Sequence, residues 1–259
     1  MSPAAADYDR LFALQPRQNI FEDIIAGLHA ALLRPGDLAV DGGAHAGLHT
    51  WPIAERVGPS GRVLAIEPIP ELAAVLRPAA AARGLPQVEV VEAALADRGG
   101  TAEFVWVRNS PGYSGLRPCP YPFTPDIERI AVRTVRLDDL LDGATRPWRF
   151  AKLDLEGGEL RALQGGQAAL ARWRPVVVFE SGREIAASAY GYSAEEFFGF
   201  FARMDLRLLD LFGRAFGPAL WAVRPMPFYL VAVPEGSAEA AMVARHLAEM
   251  VARVAEAAG

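Results

Sequence analysis

Five short β-rich runs, residues 38–40, 62–66, 88–91, 150–155 and 176–179, are separated by helix-sized segments. Parallel strands need a long crossover between them, so this alternation closes most simply as a parallel sheet with helices on its faces. The expected class is α/β, mostly parallel. Before the first run, residues 8–33 place Ile20, Ile24, Leu28 and Leu32 four apart, as one buried helix face would, and Pro35 and Gly36 stop the helix. That gives an N-terminal helical cap over 1–36. At 259 residues the chain fits one large domain, since roughly 150 residues per domain is only a prior.

Two stretches break the alternation. Residues 101–107 and 130–137 read as extra strands, joined by a loop over 108–128 rich in Pro, Gly, Ser and Tyr. A loop of that length suits a lid or a substrate wall. Further on, Ser193 and Glu196 have capping-box spacing ahead of Phe197, Phe198, Phe200 and Phe201, so a helix starts there. Strands over 207–211 and 228–233 follow, read as an antiparallel pair at the C-terminal side of the sheet. The Ala-rich tail over 236–259 carries Val243, Leu247, Met250 and Val254 as a helical stripe, suited to core packing or, alternatively, to a homodimer contact.

With 52% apolar and 22% charged residues, the composition is that of a globular protein, and a net charge of -5 offers no basic footprint for nucleic acid or anionic lipid. A small molecule or another protein is the expected partner. Cys119 is the single cysteine, so no intrachain disulfide forms, and the N-terminal residues lack the pattern of a secretory leader. No stretch reaches the roughly 18 apolar residues of a membrane span. The expectation is a soluble, cytoplasmic protein.

Directly after the first run stands Asp41-Gly42-Gly43-Ala44-His45-Ala46-Gly47. A glycine-rich turn from strand to helix offers N–H groups and the positive end of a helix dipole to a ligand, although such turns also form with no ligand at all. Glu67, 26 residues after Asp41 and at the end of the second run, adds a carboxylate placed to accept both hydroxyls of a ribose. Together they read as a nucleoside site. Gly42-x-Ala44-x-x-Gly47 only approximates the dinucleotide fingerprint, because its middle glycine is missing. A carboxylate at Asp41 would oppose a pyrophosphate and suit the ammonium group of S-adenosylmethionine.

The ordered set is wider than this turn. Pro35-Gly36-Asp37 leads into it, and Ala65-Ile66-Glu67-Pro68, Ala93-Ala94-Leu95-Ala96-Asp97, residues 109–116 and 134–140, Lys152-Leu153-Asp154-Leu155-Glu156-Gly157-Gly158-Glu159 and Val178-Phe179-Glu180 follow. In order and spacing the chain resembles the FkbM-type family of class I S-adenosylmethionine-dependent methyltransferases, over about residues 35–233. The resemblance implies a Rossmann-like class I fold, with a methyltransferase domain over 37–235 and 108–128 as a loop insertion. It implies S-adenosylmethionine as cofactor. Asp41 and the turn of Gly43, Ala44, His45 and Gly47 would hold its methionine end, Glu67 its ribose, and Ala93 and Ala94 would lie near its adenine, with His49, Pro68 and Asp154 as further cofactor-binding candidates. His45 stands where asparagine is usual in the family, and His49 where an aromatic residue is common. The implied activity is O-methylation of a small metabolite, sugar or natural product. An NAD-dependent oxidoreductase, favoured by Glu67 and the partial fingerprint, and a non-catalytic interaction module that binds S-adenosylmethionine are the alternatives.

Asp154, Glu156, Glu159 and Glu180 fall at the sheet edge where open α/β folds bind ligands, and within a strand Asp154 and Glu156 would share a face. Methyl transfer to a hydroxyl needs alignment and removal of a proton. A carboxylate could take that proton, or two or three could hold Mg²⁺. Glu156 is assigned to proton or substrate handling and Asp154 to the cofactor side. Glu159 divides between catalysis and complementing a helix dipole, and Glu180 between substrate contact and pairing with Arg183. On the loop, Tyr113 and Ser114 are substrate candidates. The rings of Tyr113, Tyr121 and Phe123 could stack on a substrate or anchor the loop. His45 and His49 have metal-pair spacing, but Ala46 stands where a zinc hydrolase needs glutamate, so no metal site is assigned. His29 and His246 are read as surface or partly packed helix residues.

Overall fold

The computed structural model describes residues 20–257, so the part of the expected N-terminal helix over 8–19 lies outside the described residues. Helix α1 (Ile20–Leu32) buries Ile20, Phe21, Ile24, Ile25, Leu28 and Leu32. Strands β1 (Leu38–Gly42), β2 (Arg62–Ile66), β3 (Val88–Val91), β7 (Trp148–Leu153) and β8 (Val176–Glu180) run parallel. Between β8 and β9 (Leu206–Asp210), β10 (Tyr229–Pro234) runs antiparallel to both, completing the order β3-β2-β1-β7-β8-β10-β9. The expected antiparallel C-terminal pair is therefore present. The register places Asp41 beside Lys152 and Tyr229 opposite Glu180.

Alternation along each strand divides the core in two. On one face, Val177 and Phe179 join Phe197, Phe200 and Phe201 of helix α8 (Ala194–Arg203). On the other, Val176 and Val178 join Ile24 and Leu28 of α1, Ile53 and Val57 of α2 (Thr50–Val57), and Val243 and Leu247 of α9 (Ala238–Ala257). Helix α8 starts with the Ser193–Glu196 capping box read from the sequence. Helix α2 starts at Thr50, leaving Pro52 in its first turn, where a missing N–H costs no helical hydrogen bond.

The crossovers supply α3 (Pro70–Ala82), α5 (Glu159–Gln164), α6 (Gln167–Trp173) and α7 (Glu184–Tyr190). A separate three-stranded sheet sets β6 (Ile127–Val135) between β4 (Ala94–Leu95) and β5 (Gly100–Val107). Here the sequence reading needs correction. The strand expected over 130–137 starts earlier and ends at Val135, and Leu137 begins the short helix α4 (Leu137–Leu141). Likewise β7 stops at Leu153, so Asp154 and Glu156 sit in the following turn and the two-residue strand period does not apply to them.

His29 is also corrected: it is 2% exposed, edge-on to Phe150 and His49, and neither ring nitrogen has a hydrogen-bond partner. Burial, helped by the charge of His49, lowers its pKa to about 4. The unfolded chain binds that proton near pH 6.5 and the folded one only near 4, so stability falls on acidification through this window. His29→Phe is expected to reduce the loss of unfolding free energy between pH 6.5 and 4 by about 3 kcal/mol, measured by urea unfolding. An unchanged pH slope would show that His29 titrates normally.

Candidate active site

The C-terminal ends of β1, β2 and β7 open into a cleft of about 240 Å³. Asp41, near the end of β1, is 1% exposed; Thr50 Oγ1 donates to its Oδ2 at 2.5 Å, while its Oδ1 is buried with no hydrogen-bond partner. Glu67 follows β2 directly. Its two oxygens accept the backbone N–H of His45 at 2.8 Å and of Ile69 at 2.9 Å. Burial raises the Glu67 pKa to about 6 against these two hydrogen bonds, so at neutral pH it is an ionised acceptor.

The glycine turn is less open than its sequence suggests. Gly43 and Ala44 donate to the Ile66 carbonyl at 2.9 and 3.1 Å, and Gly47 donates to Ala44 at 2.7 Å. With the His45 N–H on Glu67, these four donors are satisfied within the protein. Gly43 has φ +77°, and a Cβ there would collide with the carbonyl of Asp154. Glycine at 43 thus lets two strand-end loops close on each other.

Beyond β7, the Lys152 ammonium, 6% exposed, donates to Asp154 Oδ2 at 2.9 Å, and the Tyr229 hydroxyl donates to the same oxygen at 2.8 Å. Burial opposes charge on both Lys152 and Asp154, but each supplies the other's counter-charge. The lysine pKa is held above its ordinary value and the aspartate pKa below. Glu156, at φ +52°, and Glu180 bring carboxylate oxygens within 4.8 Å of each other and of Asp154. Burial, then the charges of Asp154 and Glu159, raises the Glu156 pKa to about 8, and burial with the same neighbouring negative charges holds Glu180 well above its usual range. Glu159 stands outside this 4.8 Å group, with Oε1 accepting the N–H of Leu155 at 2.7 Å and of Gly157 at 3.3 Å. Burial raises its pKa to about 8 despite those bonds.

Of the residues singled out from sequence, Asp41, Gly43, Ala44, His45, His49, Glu67, Pro68, Ala93, Ala94, Ser114, Asp154 and Glu156 line the cleft. Gly47, Tyr113, Glu159 and Glu180 do not line it. The Tyr113 ring meets Phe123 edge-on at 5.1 Å, and Tyr121 lies 6.1 Å from Phe123, so the three rings pack on one another within the loop. Ser114 Oγ accepts the N–H of Val107 at 2.9 Å, tying the loop to β5.

Sequence reading missed Glu22, Thr50, Lys152 and Tyr229. Lys152 had a usable signal, since it precedes Asp154 by two residues at a strand end. Glu22 and Tyr229 are 207 residues apart in the chain, and only the fold brings them together. Apolar Ile66, Ile69, Leu95 and Phe104 also line the cleft beside Ala93 and Ala94.

The family described as Methyltransferase FkbM domain matches residues 41–210. Among solved structures, the chain is similar to the methyltransferase FkbM from Methylobacillus flagellatus KT, with 16% identity and a TM-score of 0.47 over 78% of this chain and 48% of that one. The chain spans about half the length of that protein. It is also similar to the O-methyltransferase TomG from Streptomyces achromogenes, involved in tomaymycin synthesis, at 15% identity and TM-score 0.47 over 82% and 79% of the two chains. A SAM-dependent O-methyltransferase from Thermotoga maritima gives 14% identity and TM-score 0.44 over 82% and 63%. No curated protein matches the chain. Among the described residues, no helix is long and apolar enough to cross a membrane.

Removing one partner of a buried ion pair leaves the other's charge uncompensated. Lys152→Met is therefore expected to lower the unfolding free energy by about 3 kcal/mol at pH 7, measured by chemical denaturation. A loss below about 1 kcal/mol would mean that the pair behaves as a solvent-exposed one.

Proposed function

The chain belongs to the FkbM methyltransferase family, and on that premise we propose that it binds S-adenosylmethionine in the cleft and methylates a hydroxyl of a small metabolite, sugar or natural product. The observation that carries the cofactor reading is Asp41 Oδ1, a buried acceptor with no donor of its own at the wall of the cleft. An ammonium group answers it, and a pyrophosphate would be repelled. Glu67 offers two carboxylate oxygens for a ribose diol, and Ile69, Ala93, Ala94 and Phe104 offer an apolar surface for an adenine ring. The donor set fits S-adenosylmethionine.

Bound there, S-adenosylmethionine supplies a methyl carbon on a positive sulfur, from which an attacking oxygen displaces a neutral thioether. The chain's own groups align the acceptor and receive its proton. Glu156 lines the cleft, and its raised pKa gives it both protonation states near neutral pH, as a proton acceptor requires. Asp154, held by Lys152 and Tyr229, fixes negative charge beside it. Glu159 positions the turn through its backbone hydrogen bonds, Ser114 lines the acceptor side, and Glu180 stands behind the wall within 4.8 Å of Glu156 and Asp154. Mg²⁺ held by Asp154, Glu156 and Glu180 is a second reading, favoured by their 4.8 Å grouping of hard oxygen donors.

Calorimetric titration with S-adenosylmethionine, S-adenosylhomocysteine and NAD tests the cofactor. Both sulfur nucleosides are expected to bind, with Glu67→Gln weakening them by about tenfold or more, and NAD is expected not to bind. Binding of NAD alone would favour an oxidoreductase, and binding of none an interaction module. Once an acceptor is identified, kcat/KM is expected to rise with pH up to about 8, because the carboxylate must be ionised to accept a proton. Glu156→Gln is expected to retain cofactor affinity and lose turnover. Turnover that EDTA abolishes and Mg²⁺ restores would replace this reading with the metal one.

A further inference from the structure

Glu22 precedes the span 41–210 matched by the family, yet it lines the cleft. Its side chain, 24% exposed, sets Oε2 at 2.6 Å from His49 Nε2, and Oε1 is 3.5 Å from the hydroxyl of Tyr229, which donates at 2.8 Å to Asp154 instead. Asp41 shows the same division of labour, with Oδ2 held by Thr50 and the buried Oδ1 without a partner. Asp41 stands in register with Lys152 on the adjacent strand, and Glu22 meets the Tyr229 hydroxyl that donates to Asp154, the partner of that lysine, so both carboxylates lie at the Lys152 end of the cleft. There, Glu22, Asp41 and Asp154 place three carboxylates around one lysine. The excess of negative charge and the two acceptor oxygens left over suit a cationic group carrying several N–H donors.

We propose that Glu22 is a ligand-binding residue that, together with Asp41, receives the positively charged amino end of the methyl donor. The proposal rests on the S-adenosylmethionine reading above. Helix α1 then forms a wall of the binding site as well as a cover for the sheet. The competing role for Glu22 is structural, as the tie that fastens α1 to His49.

Two ligands separate these roles on the full chain. S-adenosylhomocysteine carries the amino-acid end, and 5′-methylthioadenosine has the same nucleoside without it. In calorimetric titrations, Glu22→Gln is expected to weaken S-adenosylhomocysteine about tenfold or more and to leave methylthioadenosine unchanged. Equal weakening of both ligands, or of neither, overturns the proposal in favour of a structural tie. Should the glutamine variant fail to fold, Glu22→Asp, which keeps the charge but shortens its reach, is read by the same ratio of the two affinities. Failure of the unmodified protein to bind either nucleoside would overturn the S-adenosylmethionine reading itself, and this proposal with it.

Discussion

The placement of Asp154 is the constraint on which the rest of the site depends. Its N–H donates to the Gly42 carbonyl at 3.0 Å, and its own carbonyl fills the space that a side chain at Gly43 would need. Its carboxylate takes hydrogen bonds from Lys152 on β7 and Tyr229 on β10. One residue thus joins the ends of β1, β7 and β10. The glycine turn, the lysine and the antiparallel strand are consequences of the same junction, because each must approach Asp154 closely for the others to hold their places.

Electrostatics then divides the cleft. Where a cation is at hand, as between Lys152 and Asp154, the carboxylate stays charged. At Glu156 and Glu180, burial and like charge prevail and favour the protonated form. Carboxylates with opposed pKa shifts side by side are what acid–base work needs, since one remains a fixed charge while another exchanges a proton. The same arrangement disfavours an anionic ligand at the Asp41 end and favours a cationic one, which is the link between the protein's burial pattern and the proposed methyl donor.

Much of the fold was legible because its signals are local. The runs at 62–66 and 88–91 coincide with β2 and β3, the Ser193–Glu196 box opens α8, and Val243, Leu247 and Met250 of the tail's stripe pack onto the core from α9. Asp41 and Glu67 were legible for a related reason, since strand ends in an open sheet fall on one edge. Other features depended on tertiary closure. The N–H groups of the glycine turn are taken up by β2 and Glu67, and Glu156 leaves the strand period at a positive φ. His29 is buried by helix packing, although its sequence neighbours gave no sign of it. Glu22 and Tyr229 were invisible, since neither carries a motif and their meeting is set by how α1 lies across the sheet.

The most direct test of the central claim is a crystal structure of the full chain with S-adenosylmethionine bound. The account expects the ribose hydroxyls on Glu67, the amino group against Asp41 Oδ1, and the sulfonium methyl facing Glu156. A ligand whose ribose bypasses Glu67, or whose methyl faces away from the Asp154–Glu156 turn, would contradict it.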